Sequence, residues 1–423
     1  MRNWVIWTMA ALLLPGTAWA GETADNAVQH LYAGTAADAL PKTVLACDTE
    51  GAEACFAAGL LQLVVGYEGL AKGLYRYGAT MPGLPAAAML LGLGGEGGDT
   101  VPANPNPEKL SYDALRQLIE GFLVDLDTAR GLFQRGGDSG DYVVHIDPLQ
   151  VRIDFDGDGQ IAPTETLAEI LQSLGAFSDL PTPPPTDKAK SKHAPQTVIG
   201  FDRADAFWFA GYSQIVGAPF DWLLAHDFSG LYNAYLHHSF PRAGLPMQPY
   251  SRGGTLFMDP ESDSAIADII AAIHTLDFPV IQPQRLADVR LRLLDITRLS
   301  RLNWQAILAE TDDDRELVPS PKQTSLLPGH EVTDEVVTAW HDTLDRLDAI
   351  LDGELLLPHW RFAQGFDLKA YFDAAPETDL VLLLTGLGAL PYLKDGPIAD
   401  ADSFAAANRV FGDNWLNYAL WFN

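Results

Sequence analysis

Twelve consecutive residues carry the densest oxygen chemistry in this chain: Asp154-Phe155-Asp156-Gly157-Asp158-Gly159-Gln160-Ile161-Ala162-Pro163-Thr164-Glu165. Carboxylates stand at the first, third, fifth and twelfth places. Alternate spacing lets the side chains of Asp154, Asp156 and Asp158 converge on one point. Carboxylates held so close repel one another unless a cation sits among them. A hard cation that takes six to eight oxygens at about 2.3–2.6 Å suits this donor set, and calcium is such a cation. Magnesium suits it less, because it demands a smaller octahedral shell and keeps several waters. Gly159 permits a sharp turn, since a residue without Cβ enters positive φ at low cost, and Gly157 loosens the same turn. The competing reading is an acidic turn that holds no metal.

With Gly159 sixth and Ile161 eighth, the segment resembles the EF-hand calcium loop. The resemblance implies a ligand set. Asp154, Asp156 and Asp158 would bind through side chains, Gln160 through its backbone carbonyl, and Glu165 through both carboxylate oxygens. Ala162 has no ligand atom, so a water would fill that vertex. Ile161 is expected to point inward and anchor the loop. The likeness covers only residues 154–177, and its approach departs from the family's helix–loop–helix pattern. Pro148 forbids a long helix there, and Tyr142 to Asp147 and Val151 to Ile153 alternate as a strand does. A strand or a single turn is therefore expected before the loop. Beyond it, Pro163 suits a first helical turn, and Leu167, Ile170, Leu171 and Leu174 recur at helical spacing. No second loop of this kind occurs. Sensors usually pair two loops, so a lone one implies a structural or binding role.

Other reactive side chains form weaker patterns. His237 and His238 are adjacent, and adjacent helical residues point in different directions, so they are not expected to share a metal. His226 and His341 each precede an aspartate, and His359 follows Pro358; either a site or simple packing would account for them. There is no Gly-x-Ser-x-Gly elbow and no His-Glu-x-x-His helix. Gly92, Gly94 and Gly95 lack the lysine of a phosphate loop. Arg285, Arg290, Arg292, Arg298 and Arg301 concentrate on one predicted helix; internal ion pairing is expected, with an anion-binding patch as the alternative.

These groups must be positioned by a long chain of 423 residues. Its first twenty read as an export signal: Arg2, an apolar run from Trp4 to Leu14, and the small-residue site Ala18-Trp19-Ala20. With Arg2 removed, 26 basic residues face 56 acidic ones. A surface so negative argues against nucleic acid and anionic lipid, and favours cations. Cys47 and Cys55 are the two cysteines, bridged in an oxidising compartment or free otherwise.

The periodicity predicts a mainly α-helical, multi-helix body with a short β element leading into the loop. Residues 21–179 form a helical region containing the loop; a Pro- and Lys-rich stretch, 180–197, is a linker or insertion; and 198–423 form a second helical region rich in aromatics. Residues 21–46 read as a helix and a turn at Pro41. A long helix from Glu50 to Tyr77 carries Gly59, Gly66, Gly69 and Gly73, which predicts close backbone packing; its apolar run reads as too short for a membrane span. Helices are expected over 108–134, 203–226, 261–276 and 284–309, and from Thr333 to Leu351. Val381 to Leu384 read as a buried segment, and Trp415, Tyr418, Trp421 and Phe422 as a docked C-terminus.

Three functions fit these residues. The first is an exported calcium-binding protein, periplasmic or secreted, structural or binding in role and not catalytic. The second is a calcium-stabilised exported hydrolase with a pocket near the 203–238 helices, using His237 or His359. The third is a cell-envelope assembly protein whose partner the sequence does not name.

Overall fold

Glycine explains how the two longest N-terminal helices lie against each other. The computed structural model describes residues 21–80, 104–162, 165–167, 197–247, 255, 258–311, 313, 315–325, 331–412 and 415–422. In it, α1 (Glu22–Ala33) and α2 (Ala36–Glu50) precede α3 (Ala52–Arg76), which packs along α4 (Tyr112–Gly137). A Cβ on Gly59 would stand 2.7 Å from the Phe133 ring, and one on Gly73 would stand 2.3 Å from Leu118. Gly66 likewise abuts Asp125. A larger residue at Gly59 or Gly66 would crowd the opposite helix, whereas at Gly73 the tip of Leu118 would have to move.

α3 is long and apolar enough to cross a membrane by length and composition, contrary to the shorter span read from sequence. Its first half, from Ala54 to Leu61, is nevertheless buried within the body. Pro41 does not make a turn; it lies inside α2. Proline removes one helical hydrogen bond there, and burial of Ala39, Thr43, Ala46 and Cys47 carries the helix past it. Cys47 and Cys55 are joined in a disulfide that ties α2 to α3.

After α4 the chain forms β1 (Val144–Ile146), a 3-10 turn at Pro148–Gln150, and the acidic loop. β1 pairs antiparallel with β2 (Ile199–Phe201), Val144 opposite Phe201. A strand or a single turn is expected before the loop; β1 and the 3-10 turn both occur, whereas Val151 to Ile153 contributes only an isolated bridge from Arg152 to Thr166. The helix expected after it lies outside the described residues beyond Leu167, as do residues 1–20, Gly92 to Gly95 and residues 180–196.

Asp202 then caps α5 (Arg203–Ala225) with a reciprocal box: its carboxylate accepts from Ala204 and Asp205, and Asp205 accepts from the Asp202 N–H. α5 lies between α4 and α8 (Pro283–Ile307). Between these come α6 (Ser229–Ala234), a 3-10 turn at Leu236–His238, α7 (Pro260–His274) and β3 (Asp277–Pro279). α9 (Asp334–Leu351) begins at its Thr333 cap, as expected.

The remaining elements are β4 (Gly365–Phe366), α10 (Leu368–Ala374), β5 (Glu377–Asp379), α11 (Leu380–Thr385), β6 (Leu393–Lys394), α12 (Ala405–Val410) and α13 (Trp415–Phe422). β3 pairs with β5 and β4 with β6, each antiparallel.

The described residues are mainly helical, with thirteen α-helices and little strand. The largest core draws Leu31, Phe56, Phe133 and Ile146 from one side of the 180–197 break. Phe207, Trp304, Trp340 and Phe422 come from the other. Phe422 is fully buried, so the C-terminus docks as expected. The run Val381 to Leu384 does not: none of α11 is buried, and Leu384 is 71% exposed. A short apolar run reports composition, not which side of a helix the body covers.

Candidate metal centre

The acidic loop is built by local hydrogen bonds that face carboxylates inward. The Asp154 carboxylate accepts from Gly157 N–H (2.8 Å) and Gly159 N–H (3.2 Å). Both glycines sit at positive φ, 72° and 76°, so only residues of this kind close the turn without strain. Asp156 accepts from Asp158 N–H (3.0 Å), and Asp158 from Gln160 N–H (2.7 Å). One oxygen from each of Asp154, Asp156 and Asp158 falls within 4.8 Å of the others.

Glu165 folds back over the same turn. Its two carboxylate oxygens accept from Phe155 N–H (2.9 Å) and Ala162 N–H (2.6 Å). Asp154 and Glu165 are buried while Asp158 is exposed, so the cluster opens at one side.

Two helices, α1 and α3, hold the loop. Arg152 N–H donates to the Leu31 carbonyl at the end of α1, and Arg152 bridges to Thr166. The Ile161 side chain lies against Gly34, where a Cβ would come within 2.6 Å of it. Ile161 thus anchors the loop, to the α1 C-terminus. From α3, the Lys72 ammonium reaches within 3.1 Å of Asp154 and also pairs with Glu68. Burial pulls the Lys72 pKa down, but hydrogen bonds to Glu68 and Asp154 more than offset it and hold it above its ordinary value. One monovalent charge at the rim offsets part of the repulsion among the loop carboxylates.

His226 and His359 are each held by hydrogen bonds within the body. His226 is fully buried, bonded to the Trp222 carbonyl (2.6 Å) and the Thr378 hydroxyl (2.7 Å), and burial lowers its pKa. His359 donates through Nε2 to the Leu383 carbonyl (3.1 Å) and accepts at Nδ1 from Arg361 N–H. Of the α5 aromatics Phe207 is buried, while Trp208, Phe209 and Tyr212 are partly buried against neighbouring segments. Phe209 stacks on Phe133 at 5.1 Å, Trp208 donates to the Trp421 carbonyl, and Tyr212 bonds the Leu420 carbonyl.

Arg285 and Arg292 of α8 border a cleft of about 790 Å³ against α4 and α5, and the other arginines of α8 lie outside it. Each is paired. Arg285 bridges Glu120 and Asp221 at 2.6 Å each, and Arg292 bridges Asp127 (2.8 Å) and Asp221 (3.2 Å). Arg290 joins Asp352 and Asp373, Arg298 joins Asp295, and Arg301 joins Asp345 and Asp348. Internal pairing is the arrangement found.

Two groups escaped the sequence. His237 and His238 both turn Nε2 onto Asp268 Oδ2, at 3.2 and 2.9 Å. Asp202, Glu310 and Glu316 bring carboxylates within 4.8 Å at the head of α5. Both assemble residues from distant segments, so no local spacing announces them.

Comparison with known families, curated proteins and solved structures finds no match for this chain.

Proposed function

We propose that this protein is an exported calcium-binding protein whose single EF-hand-like loop uses the ion to fix structure. Asp154, Asp156 and Asp158 supply side-chain oxygens, Gln160 its carbonyl, and Glu165 closes the shell. The observation that carries the reading is the convergence of the three aspartates, with the buried Glu165 carboxylate bonded to the Phe155 and Ala162 N–H groups of the same loop. An all-oxygen donor set of this charge favours calcium over transition ions. The loop joins α1 and α3, so an ion there would restrain both helices at once. The Cys47–Cys55 disulfide is consistent with an oxidising compartment, as is the apolar N-terminal segment.

The test is a thermal melt in calcium and in chelator. Calcium at 100 times its dissociation constant adds about 2.7 kcal/mol, which is about 3 °C for a chain of this size. Asp154→Ala and Glu165→Ala should abolish the difference. Coincident melts of the parent protein in calcium and in chelator would refute the reading.

A further inference from the structure

α7 is built inside out. Ile266, Ile269, Ile270 and Ile273 share one face by their spacing, and each is between 42% and 55% exposed. The single buried side chain among its described residues is a carboxylate, Asp268, 6% exposed. A helix that turns its isoleucines to water and its aspartate inward is not held by the hydrophobic effect alone. Something polar must hold Asp268, and its contacts are the two imidazoles of the Leu236–His238 turn.

Those imidazoles do not converge by backbone geometry. Consecutive residues of a 3-10 turn project about 120° apart, yet these rings lie with centroids 4.1 Å apart and point at one oxygen. His237 is 4% exposed and carries a buried Nδ1 without a hydrogen-bond partner among the described residues. A buried polar atom left so costs about 1–3 kcal/mol, and a bond gained elsewhere on the ring would offset it.

The same distances that make hydrogen bonds here are also compatible with a coordination polyhedron. With metal–ligand arms of about 2.0–2.1 Å, neighbouring ligand atoms lie about 3.3 Å apart in a tetrahedron and about 2.9 Å apart in an octahedron. The Nε2–Oδ2 separations of 3.2 and 2.9 Å fall in that range. We propose that His237, His238 and Asp268 form a second metal centre, for a zinc-class divalent transition ion, that pins α7 to the body. Two imidazoles and one carboxylate select such an ion over calcium. The His238 side chain is 39% exposed, so the remaining position opens to water.

The experiment is a cobalt(II) titration of the full chain with calcium in excess. One equivalent of cobalt should give the intense visible bands of a four- or five-coordinate nitrogen-containing site, and one equivalent of zinc should erase them. Asp268→Asn and His237→Ala should lose the bands, while Asp154→Ala/Glu165→Ala should keep them. His238→Ala, at the more exposed ligand, guards against loss by misfolding: its circular dichroism should match the parent, with zinc binding weakened by more than about tenfold. Zinc should also slow amide exchange across residues 260–274 in the parent protein. The proposal is overturned if no stoichiometric cobalt band appears, or if the band survives Asp268→Asn.

Discussion

At the residue scale, the strongest electrostatic perturbation lies away from both metal candidates, at the head of α5. Burial, then Asp202 and Glu316, pushes the Glu310 carboxyl up to about 9. Burial and Asp202 also raise Asp205 well above the carboxylate range. Gln323 donates to Glu310 Oε2 at 3.0 Å, which lowers the pKa without reversing the effect of burial. The native protein therefore keeps a proton on Glu310 that the unfolded chain releases above about 4.5. Because the native state binds more protons, stability falls as pH rises between those two values, by at most about 1.4 kcal/mol per unit for this group. Glu310→Gln presents a neutral side chain at every pH. Its melting temperature, measured in saturating calcium, should exceed that of the parent by a margin that widens from pH 5 to pH 9. Parallel curves would mean that the proton is not held there.

At the element scale, the α3–α4 contact offers a matched pair of substitutions. Gly59→Ala gains up to about 1 kcal/mol of helix propensity but drives a methyl into Phe133. That ring is fully buried and touches Phe56 and Phe209, so it has no room to yield. Overpacking of this kind costs about 1–3 kcal/mol, so the variant should be destabilised. Gly69→Ala meets nothing within 4 Å and should be stabilised by up to about 1 kcal/mol. Denaturant midpoints that move in the same direction would contradict this account of the glycines.

The helices themselves were legible because caps and periodicity are local. Asp202 and Thr333 announce α5 and α9, and Gly157 and Gly159 announce the loop's turns. The sense of a face was not legible. Periodicity says that Ile266, Ile269, Ile270 and Ile273 lie together, not that they lie outward. The His237–His238–Asp268 group was hidden for the same reason, since it exists only once α7 is laid beside the Leu236–His238 turn. Pro41 misled because the cost of one lost hydrogen bond is visible in sequence, whereas the burial that offsets it is not.

At the scale of the whole molecule, the question is whether the two regions flanking residues 180–197 are separable. Composition marks a break there, with four prolines between Pro181 and Pro185. The packing runs across it. α4, before the break, lies along α5, after it, with Phe122 meeting Phe220 at 5.7 Å and Phe133 stacked on Phe209. Arg130 of α4 bonds Asp295 of α8 at 2.7 Å, and β1 pairs with β2 across the same break. A cleavage there should leave these contacts in place, because a shared apolar interior holds fragments together without a covalent link. A site-specific protease sequence placed between Lys188 and His193 is the measurement. After cutting, the two pieces should co-elute at the parent volume in native gel filtration and separate only in denaturant. The Cys47–Cys55 bridge lies within the first piece and cannot hold them. If the pieces part under native conditions, the break divides two independent bodies and the common core assigned to them is wrong.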